Sequence, residues 1–359
     1  MMKPSLFPCG RAMLIGSQPL NDHDEALRLV LRHVPDIANW VQLPVFKAEG
    51  MVDQFVDGLP ALVHGDRTWV DAAGERFDEE MVRFFEEYLA VCEQNVTLEG
   101  SRFKLTANSA QGFFTLLAAL ARKPQNLYAV KGQITGPITF CTSLTDQDRR
   151  AIFYNDALRD AAVKTIALKA AWQVQKLRMA GVPVIVFIDE PALAGYGSSD
   201  LISISGEEIG ACLTEVIDAI HGQGGLAGVH VCANTDWSLL LRSGVDIINF
   251  DAYGYFDRFV LYVDLLKAFL AAGGCLAWGM VPTAPEQVKD VTLDALWALW
   301  QSHLQRLSEL GMDLETVQRQ SFITPSCGTG ALTPMLSEKV LTLTQSLSSK
   351  VRQEGVLER

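Results

Sequence analysis

From about Asn126 onward, short runs that are apolar on both faces alternate with longer stretches whose apolar positions recur at a helical period. LYAVKG (127–132), VPVIVFID (182–189), GLAGVHV (225–231), VDIINF (245–250), GCLAWGM (274–280) and SFITPS (321–326) read as strands. Strands buried on both faces and separated by helices imply a parallel sheet. The segments 159–181, 206–224 and 257–273 read as helices, and each runs into a glycine (Gly181, Gly224 or Gly273) after its last apolar turn. Glycine tolerates the left-handed backbone that commonly closes a helix.

Two more strands are needed to close a barrel. AMLIGS (12–17), followed by a helical pattern over 24–34, supplies one, and IANWVQLPV (37–45) supplies the other. Eight strands in this order favour a single (β/α)₈ TIM barrel of the α/β class over a doubly wound sheet. Residues 47–125 are then an elaboration after the second strand, with a hairpin around 62–72 and helices over 78–94 and 109–123. Its composition is not that of a linker, so residues 1–359 are expected to form one domain.

Of the 359 residues, 49% are hydrophobic and 20% charged, the balance of a soluble protein with a sizeable core. No apolar run is long enough to predict a membrane span. The first residues lack the basic region and apolar run of a signal peptide, so a cytoplasmic location is expected. A net charge of −12 argues against nucleic acid as a partner, because phosphate needs a basic footprint. The seven cysteines are odd in number and scattered, which fits core residues, metal ligands or catalytic groups better than disulfides.

Active sites of such barrels are built at the C-terminal ends of the strands. The residues there are Ser17, Glu49 (a little beyond the second strand), Gln133, Asp189 with Glu190, His230 with Cys232, Asp251, Met280 and Cys327. His230 and Cys232 stand two apart in an extended strand, so their side chains point the same way. With Cys327 they make a two-thiolate, one-imidazole set, which suits zinc and leaves a position for water or substrate. Asp251 is a candidate fourth ligand, a candidate partner behind His230, or a cap for the helix that follows. Asp189 and Glu190 end a buried strand, where carboxylates are costly unless they bind something charged, such as a substrate amine. The alternative is a pair of solvated loop acids. The Ile15–Ser17 turn offers a hydroxyl and N–H groups suited to a carboxylate, whereas GQITGP around Gln133 reads as turn chemistry.

Taken in order, IGS, IDEPAL, HVC, a strand-end acid and PSCG resemble the C-terminal catalytic barrel of cobalamin-independent methionine synthase. The wider superfamily includes uroporphyrinogen decarboxylase and the methyltransferases that act on corrinoid proteins. The resemblance covers nearly the whole chain. It implies zinc ligands at His230, Cys232 and Cys327, a fourth at Asp251, the amino-acid-binding acid at Asp189, and the carboxylate-binding turn at Ser17. It also implies a second acid on the substrate amine at Glu49. The implied activity is zinc-dependent methyl transfer to a thiol, homocysteine, in methionine biosynthesis.

Three departures from that family shape the expected donor. One barrel and no N-terminal second one is expected over these residues, the stretch AWGMVPT (277–283) lacks the family's histidine, and the fourth ligand is Asp rather than Glu. These point away from methyltetrahydrofolate and toward methylcobalamin or a methylated corrinoid protein. The competing readings are a methyltransferase acting on coenzyme M, a uroporphyrinogen decarboxylase-like enzyme, and a non-catalytic metal- or corrinoid-binding component of a methyl-transfer complex. Coenzyme M would leave Asp189 no amine to bind, and the decarboxylase would need an arginine-rich N-terminus where only Arg11 stands.

Overall fold

The computed structural model describes residues 6–122, 126–196 and 203–354. Eight parallel strands form a nearly closed (β/α)₈ barrel. In chain order the strands are β1 (Arg11–Ala12), β2 (Ile37–Asn39), β3 (Leu62–Val63), β4 (Trp69–Val70), β5 (Ala129–Thr135), β6 (Val184–Asp189), β7 (Leu226–Val231), β8 (Ile247–Phe250), β9 (Cys275–Val281) and β10 (Ser321–Pro325). Around the barrel the order is β1-β10-β9-β8-β7-β6-β5-β2, and β3 and β4 pair as a separate antiparallel hairpin. β1 and β2 share no ladder at their starts. Higher up, Gln18 N donates to Gln42 O at 2.9 Å and Gln42 N to Gly16 O at 3.2 Å, joining the ends of the sheet.

Alternation along the strands separates two cores. Ile185 and Phe187 of β6 join Met13, Val41, Leu226, Ile247, Cys275 and Phe322 in a cluster inside the barrel. Val184, Val186 and Ile188 face the other way, into the larger core shared with the helices. The glycines expected to close helices do so with left-handed backbone: φ is +69° at Gly181, +74° at Gly224 and +89° at Gly273. The segment expected as one helix over 257–273 differs. It begins at Ala252 with Asp251 as its N-cap, has a non-helical residue at Tyr255, and is interrupted by a 3₁₀ turn at Val260–Tyr262 before resuming at Val263–Ala271.

The elaboration after β2 consists of one-turn 3₁₀ helices at Lys47–Glu49 and Asp53–Phe55, the hairpin, and helices Phe77–Cys92 and Gln111–Leu120. Lys123, the last residue of the second expected helix, and Gln125, the end of the elaboration, lie outside the described residues. The elaboration covers the outer face of the Asp156–Leu177 helix, which explains why that helix is buried on nearly all sides. Trp172 packs against Phe113 with ring centroids 5.1 Å apart and donates to Glu99 Oε2 at 2.9 Å. Among the described residues, no helix is long and apolar enough to cross a membrane.

Candidate metal centre

The parallel register brings the C-terminal ends of β6, β7 and β8 side by side, with Asp189 opposite His230 and His230 opposite Asn249. Cys232 follows on the same face of β7, and the loop after β10 delivers Cys327. The ligand atoms of His230, Cys232 and Cys327 lie within 4.8 Å of one another, the one such group among the described residues. Three atoms no farther apart than 4.8 Å sit at most about 2.8 Å from a common centre, close to the ~2.0–2.3 Å bonds of zinc to nitrogen and sulfur.

Hydrogen bonding fixes which imidazole nitrogen is free. Asn249 Nδ2 donates to Ala277 O and to Thr324 Oγ1, both at 2.8 Å, so its Oδ1 must be the atom that faces His230 Nδ1. His230 Nδ1 therefore carries the proton and donates it to Asn249. In the neutral ring that leaves the lone pair on Nε2, which is buried without a hydrogen-bond partner, and the Cys232 thiolate beside it favours a positive charge at that position. An orphaned buried acceptor costs about 1–3 kcal/mol, and a cation between it and the two sulfurs removes that cost. The residues thus fit a zinc ion.

Charge in the cluster is concentrated on Cys232. Its thiol is pulled down to about 4 by the neighbouring Cys327 and His230, against the effect of burial. Cys327 is pushed up by Cys232 and by burial. Burial pulls the His230 imidazole down, but Cys232 and Asp189 more than reverse this and leave it above its ordinary value.

A cavity of about 240 Å³ opens beside the cluster. Ser17, Glu49 and Asp189 line it together with the three ligands, and Gln42, Met51 and Thr135 complete much of its wall. Its volume falls below the ~300–1,000 Å³ usual for drug-sized ligands, so it suits a small molecule. Asp189 is 8% exposed and its Oδ1 has no partner. Burial raises its pKa, with His230 and Lys131 opposing. Ser17 packs on the loop that carries Cys327: its Oγ accepts from Gly330 N at 3.2 Å, and its carbonyl accepts from Thr329 N at 3.0 Å. A Cβ on Gly328 would stand 2.1 Å from Ser17 Oγ, so this contact requires glycine.

Other expected residues lie elsewhere or are already engaged. Both Glu49 oxygens are held, Oε1 by His23 Nε2 at 2.6 Å and Oε2 by Leu43 N at 2.8 Å. Asp251 is not in the three-residue cluster; its Oδ1 accepts from Gly254 N at 2.8 Å and caps the following helix. Glu190 points away from the cavity and is fully buried, accepting from Ile138 N, Thr139 N and the Thr139 hydroxyl at 2.6–2.8 Å. Burial pushes its carboxyl up to about 7 despite those bonds. Gln133 is buried inside the barrel, donating to Trp40 O, and Met280 faces the helical core.

Sequence reasoning missed Asn249, His23 and Lys131. Asn249 had no local signal, because the β7–β8 register is what sets it opposite His230. His23 had none either, because it opens the first helix and meets Glu49 only through the tertiary fold.

No family model matches this chain, and no curated protein sequence matches it. Among solved structures it is similar to a B12-independent methionine synthase from Shewanella sp. W3-18-1 in complex with selenomethionine, at 19% identity and a TM-score of 0.48 over 67% of each chain. It is also similar to KGPDC from Streptococcus mutans, at 10% identity and a TM-score of 0.28 over 67% of this chain and 92% of that one. For the A. niger ochratoxinase the values are 12% and 0.25, over 51% and 43%. Likenesses this distant do not bear on activity, which rests on the site.

Proposed function

We propose that the protein is a zinc-dependent methyltransferase that moves a methyl group to the thiol of homocysteine, giving methionine, with a corrinoid-bound methyl group as donor. One observation carries the reading: the unpartnered His230 Nε2, flanked by Cys232 and Cys327, shares a small cavity with the unpartnered Oδ1 of Asp189. A soft metal site and a free carboxylate in one cavity suit a molecule with a thiol at one end and an amine at the other.

Bound zinc supplies a Lewis acid that lowers a thiol's pKa from its usual ~8.5 and holds the sulfur as thiolate at neutral pH. The chain does the rest. Cys232 and Cys327 are anionic donors, so they keep the coordinated sulfur electron-rich, whereas an all-histidine set would withdraw more density. Asn249 holds the imidazole in the one tautomer that can ligate. Asp189 takes the substrate ammonium, and the turn ending at Ser17 takes its carboxylate. A cavity of this size encloses the thiol substrate but not a corrin, so the donor would present its methyl from outside the cavity. The stretch after β9 offers no imidazole to protonate a nitrogen leaving group, and a methyl group on cobalt needs none.

The test is elemental analysis joined to a methionine assay. We expect about one zinc per chain and homocysteine-dependent methionine formation, with both lost in Cys327→Ala. Full zinc occupancy in Cys327→Ala overturns the ligand set, and a zinc-loaded protein that methylates no thiol overturns the activity.

A further inference from the structure

Lys131 is fully buried inside the barrel, in the layer just below the cavity. Barrel interiors are ordinarily filled by branched apolar side chains, and a lysine there is unfavourable unless its charge has a use. Its ammonium donates to the carbonyl of Ile15 and to Gln133 Oε1 at 3.3 Å, and it lies 5.0 Å from the ring of Phe187. No carboxylate is bonded to it. Lys169, the other lysine buried among the described residues, holds the Lys104 carbonyl beneath the elaboration and is not part of this layer.

The Ile15 carbonyl is a particular target. Ile15 and Ser17 both line the cavity, and the turn between them rests on Gln133, whose Nε2 would be 2.9 Å from a Cβ added at Gly16. Lys131 reaches from β5 across the interior to this turn, beside the weakest seam of the barrel, where β1 and β2 meet. Lys131 and Gln133 thus support the turn from below, and one of the two carries a positive charge.

We propose that Lys131 is a positioning residue for the carboxylate end of the substrate, pinning the Ile15–Ser17 turn and placing a fixed positive charge beneath it. This rests on the reading of the substrate as an amino-acid thiol. Burial brings the Lys131 ammonium down to about 8, with Asp189 pulling the other way, and its surroundings of a carbonyl oxygen, an amide oxygen and a ring face suit a charged ammonium. The charge favours a thiol that carries a carboxylate over one that does not, while Asp189 reads the amine that both can share.

The experiment uses the full chain loaded with cobalt(II) in place of zinc, because thiolate coordination changes the cobalt absorption whether or not turnover follows. Homocysteine and 3-aminopropanethiol, which lacks only the carboxylate, are titrated into the wild type and Lys131→Met. The expected result is an unchanged cobalt spectrum before thiol, binding of homocysteine weakened by roughly tenfold or more, and binding of 3-aminopropanethiol unchanged. In the methyl-transfer assay the same variant should raise KM for homocysteine much more than it lowers kcat. Lys131→Gln, polar but uncharged, should lose the discrimination as well, and it serves if the Met variant does not fold. Equal weakening of both thiols, or a Gln variant that discriminates like the wild type, overturns the inference. If the wild-type spectrum does not respond to homocysteine, the proposed function fails and this inference with it. A wild-type response that both variants share defeats the inference alone.

Discussion

Replacing Asn249 separates the metal site from the fold that carries it. The Asn249 carboxamide, fully buried, makes three hydrogen bonds: from His230 Nδ1, and to Ala277 O and Thr324 Oγ1. Asn249→Leu is close in volume and removes all three. Thr324 Oγ1 loses a donor but keeps its own hydroxyl proton, and the Ala277 carbonyl stays in the β8–β9 ladder, so the group left without a partner is the imidazole N–H. One stranded buried donor at about 1–3 kcal/mol predicts a loss of that size, a noticeable share of the ~5–15 kcal/mol that holds a typical domain. The metal is affected separately, because the imidazole is no longer held in the tautomer and rotation that present Nε2. Removing such an outer partner typically weakens metal binding 10- to 100-fold, or ~1.4–2.7 kcal/mol. Asn249→Asp keeps an acceptor for His230 Nδ1 but turns a carboxylate oxygen on Ala277 O, so it should be destabilised yet bind zinc about as tightly as the wild type. Competition against a chromophoric chelator gives the affinity, and denaturant unfolding gives the stability. Zinc binding by a folded Asn249→Leu within twofold of the wild type would falsify the role assigned to Asn249.

Two further predictions address the substrate and the donor. Asp189→Asn should retain zinc and raise KM for homocysteine roughly 10- to 150-fold, the ~1.5–3 kcal/mol of a charge-assisted hydrogen bond; an unchanged KM counts against an amine at this position. Methylcobalamin or a methylated corrinoid protein should support methionine formation where methyltetrahydrofolate does so poorly, and brisk turnover with methyltetrahydrofolate alone in corrinoid-free buffer would sink that assignment.

What was legible in the sequence follows from which distances are set locally and which by register. The barrel could be read because strands apolar on both faces leave few architectures that bury them. His230 and Cys232 could be paired because a two-residue spacing fixes their common direction whatever the rest of the chain does. Cys327 required only the rule that strand ends converge. The partner of His230 was not accessible in this way. Asn249 meets it because β7 and β8 align His230 with Asn249, and a shift of one residue would put a neighbour with an outward-facing side chain there instead. Asp251, two residues on, was the more conspicuous group, but beyond the strand its carboxylate turns to the N–H of Gly254.

The adjacent acids show the same limit at closer range. Asp189 and Glu190 look equivalent as two carboxylates after an apolar run, and either could hold a substrate amine. Alternation sends them in opposite directions. Asp189 ends on the inner face, where no donor reaches its Oδ1. Glu190 turns outward, where two backbone N–H groups and a hydroxyl at the start of the Pro137–Ser143 helix occupy it. A Cβ on Gly136 would stand 2.2 Å from Glu190 Cδ, so the turn before that helix is shaped around this carboxylate. A carboxylate whose two oxygens the fold already engages gains little from a ligand, whereas one that the fold leaves unpaired beside an unpaired imidazole nitrogen carries an unfavourable burial that a bound cation can relieve. Under the proposed function, the free oxygen on Asp189 and the free nitrogen on His230 would take two different cations within one cavity, an ammonium and a metal ion, and homocysteine would bring the ammonium while offering its thiol to the metal.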